Sequence, residues 1–258
     1  MGVKHVDWRR GGAAGLVLVT LAASGCSIPG GTTPAPGIAT PTASANANVT
    51  PTGTPTPLSP TQAASPGATL ALLPDTRTGK GLDVPLIVRG LAVINRNHPV
   101  SANYAPKVSG DYQLVPQASQ AYAAMIAAAK KDGVNIIWRV AYRSYDTQQA
   151  LSATPPTAYG DDADSYVAKP GQSEHQAGLA VDVASKQGYG TRFPETKEFA
   201  WLRANSYKYG FILRYPQGKT DITGYNYEPW HYRYIGVEAA AAFGPNSDLT
   251  LEEYLGGR

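Results

Sequence analysis

The stretch Pro170–Val183 reads PGQSEHQAGLAVDV. Its second half alternates: Leu179, Val181 and Val183 fall on one face of an extended chain, and Ala180, Asp182 and Ala184 on the other. This is the pattern of a strand with a core-facing side. Asp182 stands among small residues on the opposite side, where an unpaired carboxylate is costly to bury. His175 lies upstream in a short polar turn, and Gly178 supplies the backbone freedom for a sharp return over the strand.

Outward from this strand, the segments mix extended and helical patterns. LDVPLIVRGLAVIN (82–95) reads as short extended pieces. VPQASQAYAAMIAAAKKDG (115–133) carries Tyr122, Met125, Ile126 and Ala129 at helical spacing, with Gly133 as a stop after a basic last turn. VNIIWRVAY (134–142) reads as a buried strand from its β-branched content. SYDTQQALSA (144–153) begins with a Ser/Asp cap pattern and reads as a short helix. Residues 152–172 form a long polar loop of the kind that often carries function.

Further on, PETKEFAWLRANSYKYG (194–210) is an amphipathic helix ended by Gly210. FILRYP and WHYRYI are strands around the turn-rich QGKTDITGYN (217–226). An Ala-rich helix near 237–243 and LTLEEYL close the domain. Strands and helices do not alternate regularly, so the expected fold class is α+β, an antiparallel sheet flanked by helices.

The chain has 258 residues and a net charge of +3, with no Lys/Arg run along one face, so nucleic-acid binding is not expected. Residues 1–26 have the plan of an export signal: Lys4, Arg9 and Arg10, then the apolar run Ala13–Ala23. That run is about half the ~20 residues a membrane-spanning helix needs. It ends in ASGC, which resembles the bacterial lipobox and makes Cys26 the candidate lipidation site; an ordinary secretory signal with Cys26 incidental is the alternative. Residues 27–79 are rich in Thr, Pro and Ala and read as a disordered linker, either a spacer or a tail without reach. Residues 80–258 are expected to form one domain. Cys26 is the only cysteine, so this domain has no disulfide, thiol nucleophile or thiolate metal site.

There are four histidines. His5 lies in the signal, and His98, in NRNHPV, reads as structural. His175 and His231 remain, the latter in YEPWHYRY three residues after Glu228. Two histidines and Asp182 make a donor set that suits one zinc ion with a position left for water. Glu228 is the natural base for that water. A regular strand would point Glu228 and His231 to opposite sides, so a bend at Pro229 is required to turn both inward. Isolated His and Asp residues are more often hydrogen-bonded structural groups, and that reading stays open from spacing alone. Trp138, Trp201 and Trp230 are read first as core aromatics, with Trp230 notable for its place between Glu228 and His231.

SEHQAGLAVDV fits Ser-x-His-x-x-Gly-x-Ala-x-Asp, and EPWHYRY fits the Glu-x-x-His motif that comes after it. With YRSYDTQ and ANSYKYGFILRYP, the region from about residue 85 to 255 resembles the VanY-type D-alanyl-D-alanine carboxypeptidase family of zinc peptidases. The resemblance implies His175, Asp182 and His231 as zinc ligands and Glu228 as the catalytic base. It implies Arg143 as the group that polarises the scissile carbonyl or holds the substrate, with Ser173, Gln148 and Tyr215 around the terminal D-alanine. Where many relatives have SGYRS this chain has VAYRS, with Val140 and Ala141, a change that bears on substrate preference. The expected activity is removal of D-alanine from peptidoglycan stem peptides, D,D- or L,D-linked, at the cell envelope. The membrane is met only through a lipid anchor on the outer face of the cytoplasmic membrane. A non-catalytic wall-peptide binding module, or a peptidoglycan endopeptidase on the same scaffold, are the alternatives; oligomeric state is not legible.

Overall fold

The computed structural model describes residues 75–153 and 163–256. The export signal, Cys26 and nearly all of the linker lie outside the described residues, as does part of the polar loop, residues 154–162.

Two antiparallel sheets form the frame. Strands β1 (Leu86–Val88) and β2 (Leu91–Val93) make a hairpin, its turn placed by Arg89 and Gly90 at φ of 49° and 78°. The main sheet runs in the order β3-β4-β6-β5, from β3 (Ile137–Val140), β4 (Ala180–Ala184), β5 (Phe211–Leu213) and β6 (His231–Tyr234), with every neighbour antiparallel. The α+β architecture is therefore as expected.

One face of this sheet receives helix α1 (Pro116–Lys131). The helix turns Ala118, Tyr122, Met125 and Ala129 inward, at the spacing of a single helical face. They pack with Val181, Val183, Phe211, Leu213 and Tyr232 in one continuous core. Each large apolar side chain buried there contributes on the order of 1.5–3 kcal/mol. A smaller cluster joins Ile212 and Ile235 to Phe243, Leu251 and Leu255. Strand alternation sends Asp182, His231 and Arg233 to the face opposite Val181 and Tyr232. The site is thus mounted on the side of the sheet away from α1.

Several segments differ from the sequence reading. Residues 134–142 contribute only a four-residue strand at the sheet edge, and Trp138 is 44 % exposed, not core; its ring meets Tyr112 edge-on at 6.3 Å. With β4 on one side only, β-branched content marks a strand here without burying it. Trp201 is half-buried against the core, and its indole N–H donates to Asp132.

The 194–210 segment is not one helix. Pro194 lies inside a 3-10 stretch (Gly190–Glu195), α3 runs only over Lys197–Asn205 with Thr196 as its cap, and a 3-10 turn (Ser206–Tyr209) leads to Gly210. The turn-rich 217–226 segment holds one helical turn, α4 (Thr220–Thr223). The expected helix at 237–243 is a single turn, α5 (Val237–Ala240), and α6 (Leu251–Tyr254) carries a capping box between Thr250 and Glu253. Helix α2 (Tyr145–Ala153) lies where the sequence placed it, with Thr147 N–H donating to the Ser144 hydroxyl. Among the described residues no helix is long and apolar enough to cross a membrane.

Candidate metal centre

Cross-strand register builds the first half of the site. Asp182 is the direct partner of His231 across β4 and β6, which puts both side chains on one face and Asp182 Oδ1 3.1 Å from His231 Nδ1. The second half comes from the turn before β4. Residues Glu174–Ala177 form one 3-10 turn, closed by Gly178 at φ 62°. A Cβ on Gly178 would lie 2.7 Å from Val108 Cγ1 and 3.3 Å from Val115 N, so both the dihedral and the packing demand glycine. Gln176 ties the turn down by donating to the Ser101 and Tyr104 carbonyls. His175 Nε2 thereby arrives 3.3 Å from Asp182 Oδ1.

The edge strand supplies the rest. β3 carries a bulge between Trp138 and Val140, and a bulge bends its strand and re-aims the residues beyond it. Past this point, the Ala141 carbonyl accepts from His175 Nδ1 at 2.7 Å, and Arg143 N–H donates to the His175 carbonyl. This fixes the imidazole tautomer: Nδ1 carries the proton and Nε2 faces the centre. Val140 lines the resulting pocket, while Ala141 turns its methyl into the core. The departure from SG to VA therefore changes one wall residue.

Glu228 precedes β6 in a tight turn, with His231 N–H donating to the Glu228 carbonyl at 3.1 Å. This is the bend that the Pro229 position requires. Because the four residues turn instead of extending, Glu228 Oε2 and His231 Nδ1 come within 3.6 Å of each other.

The donor atoms of His175, Asp182 and His231 all lie within 4.8 Å of one another, and all three residues are buried. Asp182 Oδ1 is buried and accepts no well-formed hydrogen bond, although it is close to two imidazole nitrogens. A carboxylate oxygen sealed from water without a donor calls for a cation. Two neutral imidazole nitrogens and one carboxylate are the donor set of a catalytic zinc site, so the residues fit that ion.

Without metal, burial and neighbouring charges shift Glu228 and all three donors. Burial pushes the Glu228 carboxyl up to about 8, with His231 and Arg143 pulling it down and Asp182 adding to the rise. Burial works against a charged His231, but Asp182 and Glu174 outweigh it and carry the imidazole up to about 9. Burial likewise lowers His175. Asp182 stays well below the usual carboxylate range because the two histidines overcome its desolvation.

The sequence-predicted substrate residues converge on the same cavity of about 200 Å³, which is lined by Arg143, Gln148, Ser173, Tyr215, Glu228 and the three donors, among others. Ser173 occupies the N-cap position of its turn without any side-chain cap bond, and the residue lines the cavity. Gln148 is buried; its amide donates to the Ala168 carbonyl while Oε1 has no partner. Arg143 Nε is likewise buried and unpartnered, and none of the ion pairs among the described residues involves Arg143. Tyr215 packs at a tilt against both His231 and Tyr225, each ring centre 4.9 Å away. His98 keeps its structural role, its Nδ1 3.0 Å from Asn95 Oδ1. Trp230 is on the cavity wall.

Two features escaped the sequence reading. Tyr225, whose buried hydroxyl has no partner, also lines the cavity. Glu174 is fully enclosed between Arg214, Arg233 and His231. Burial alone would raise its pKa, but the two guanidiniums outweigh that and hold it well below the usual range. The signal was present as Arg214 and Arg233 in otherwise apolar strands: buried arginines need a buried acid.

A sheet that presents a His-Asp-His donor set beside a buried glutamate defines a single-metal peptidase class. A family model for "VanY: D-alanyl-D-alanine carboxypeptidase" matches residues 111–237. The putative carboxypeptidase YodJ of Bacillus subtilis (strain 168) is 40 % identical over 183 residues, covering 64 % of this chain and 66 % of that relative's length. The structure of the LdcB LD-carboxypeptidase aligns with TM-score 0.56 at 35 % identity, over 68 % of this chain and 95 % of that one. A vancomycin-resistance D,D-pentapeptidase VanY, solved as a glutamate-to-alanine variant with Zn(II), aligns with TM-score 0.55 at 38 % identity, over 63 % and 97 %. The chain belongs to the VanY D-alanyl-D-alanine carboxypeptidase family of zinc metallopeptidases.

Proposed function

We propose that this chain is a zinc-dependent carboxypeptidase that hydrolyses the bond before a C-terminal D-alanine in peptidoglycan stem peptides. The observation that carries the reading is the convergence of His175, Asp182 and His231 donor atoms within 4.8 Å, with Glu228 beside them in the same cavity. A zinc ion held by those three residues supplies Lewis acidity, lowering the pKa of water and polarising a carbonyl.

The chain's own groups do the rest. Glu228 Oε2 accepts the proton of the attacking water and passes it to the departing amine nitrogen, so the peptide C–N bond breaks, the carbonyl carbon gains the water oxygen and free D-alanine leaves. Its buried place in the cavity, 3.6 Å from His231 Nδ1, puts this carboxylate beside the metal donors where the water would be activated. Arg143, with an unpartnered buried Nε on the cavity wall, stabilises the oxyanion that develops on the carbonyl. Ser173, Gln148 and Tyr215 enclose the terminal residue, the free Gln148 Oε1 offering an acceptor.

Relatives of both bond specificities align over the domain, a D,D-pentapeptidase and an LD-carboxypeptidase. The test is release of free D-alanine by the zinc-loaded chain from muropeptide pentapeptide and tetrapeptide. Release from the pentapeptide makes it a D,D-enzyme, release from the tetrapeptide alone an L,D-enzyme. No release from either, with zinc bound stoichiometrically, overturns the reading.

We also infer that the chain is exported and lipidated at Cys26, on the basic-apolar-small plan of residues 1–26 and the ASGC boundary. Residues 27–79 then act as a spacer between the membrane and the domain. Incorporation of labelled fatty acid that Cys26→Ala abolishes is the expected result; equal labelling of the variant overturns it.

A further inference from the structure

The charged cluster beneath the metal donors takes no part in the proton transfers of hydrolysis. Glu174, Arg214, Arg233 and Glu252 are each 3 % exposed or less, four charged side chains sealed behind the site. Glu252 grips Arg214 with both oxygens, accepting from Nη1 at 2.7 Å and Nη2 at 2.6 Å, which is the bidentate geometry of a purely structural pair. Glu174 behaves differently. Its Oε1 accepts from both Arg214 Nε at 2.8 Å and Arg233 Nη1 at 2.7 Å. This concentrates two guanidiniums on one oxygen and turns Oε2 toward His231 Nε2, 3.4 Å away.

His231 presents its other nitrogen, Nδ1, to Asp182 and the metal position. The two histidines of the donor set are therefore oriented by unlike groups. His175 leans on a backbone carbonyl, that of Ala141, and His231 on a buried carboxylate. A carboxylate behind a metal-ligating imidazole fixes its tautomer and makes it a stronger donor than a carbonyl does.

We propose that Glu174 is a positioning residue of the metal centre: clamped by Arg214 and Arg233, its Oε2 receives the Nε2 proton of His231 and so holds Nδ1 toward the metal. The inference rests on the reading of His175, Asp182 and His231 as zinc ligands. The arginines keep the carboxylate from rotating, and Arg214 is itself held by Glu252 from α6, so the ligand's orientation is anchored through the C-terminal segment.

The test compares zinc dissociation constants of the full chain by chelator competition, together with the absorption spectrum of the Co(II)-loaded form. Wild type, Glu174→Gln and Leu202→Ala are measured, the last being a core variant at a residue outside the cavity lining. Glu174→Gln is expected to weaken zinc 10–100-fold and to alter the cobalt spectrum. Leu202→Ala lowers Tm but leaves the zinc constant within about twofold, because an outer-sphere effect on the metal needs contact with a ligand. Should Glu174→Gln not fold, Glu174→Asp, which keeps the charge but draws it back from Nε2, is read in the same way. Unchanged affinity and spectrum in the Glu174 variant overturn the inference, as does a loss of affinity that Leu202→Ala matches. A wild-type chain that takes up no zinc overturns the zinc reading itself, an outcome distinct from wild-type binding with an unaffected variant.

Discussion

Asp182 and His231 face each other as a direct antiparallel pair across β4 and β6, their Oδ1 and Nδ1 atoms 3.1 Å apart. A carboxylate and an imidazole in strand register form one rigid edge of the metal site, and the His175 turn closes the other.

Replacing Asp182 by alanine removes a donor from that edge. Loss of a residue that only orients a ligand costs 10–100-fold in metal affinity, so loss of the ligand itself is expected to cost more than about 100-fold. Zinc that raises the wild-type Tm should then leave the variant's Tm unmoved at the same concentration, checked by thermal unfolding with and without metal.

Glu228 moves a proton and is not among the metal donors, which separates its two readouts. Glu228→Ala is expected to retain one zinc per chain by elemental analysis while D-alanine release falls by about 10²–10⁴-fold. An active Glu228→Ala enzyme would contradict the mechanism.

For Arg143, the conservative change is the informative one. Lysine keeps the charge but loses the planar fork of donors. Arg143→Lys should lower kcat by roughly 10²–10³-fold, the range for one oxyanion donor, with zinc content unchanged.

Gly178→Ala forces a side chain into a left-handed backbone position at φ 62°, with its Cβ 2.7 Å from Val108 Cγ1. Destabilisation above about 1 kcal/mol is expected in denaturant titration. Because the same turn carries His175, zinc affinity should fall with it. A variant as stable as wild type would show that the turn accommodates the methyl group.

Acid sensitivity is expected at α6. Glu253 accepts from Lys219 and from the Thr250 backbone, and although partial burial opposes it, these partners lower its pKa. A carboxylate lowered on folding stabilises the fold above its unfolded pKa, and that stabilisation is lost as pH falls through the folded value. Glu253→Gln should therefore narrow the stability difference between neutral and acid pH, measured as Tm against pH, by a small amount because its Lys219 partner is partly open to solvent.

Much of the site was written in local pattern. The alternation of LAVDV placed Asp182 on the small-residue face, and Glu228-x-x-His231 with an intervening proline demanded the bend that the turn before β6 provides. The α1 stripe was equally plain, because a long Ala-rich helix buries one face whatever its partner. The errors lie where neighbours decide. Trp138 reads as core by type, yet its strand has a partner on one side only. The 194–210 segment begins inside a 3-10 stretch that holds Pro194 and is interrupted at Asn205, whose φ of −131° leaves the helix, a change that no periodicity encodes.

The sequence by itself determined the fold class and the helix and strand types of the main elements, which depend on residue type and short spacing, and its family resemblance pointed to His175, Asp182 and His231 as the donor set and to Glu228 as the base. The tertiary structure alone decided that Asp182 opposes His231, that the β3 bulge puts the Ala141 carbonyl behind His175, and that Glu174 stands behind His231 between two buried arginines. Those relationships join residues from 34 to 59 positions apart. Register and burial, which set them, belong to the sheet as a whole and to no segment within it.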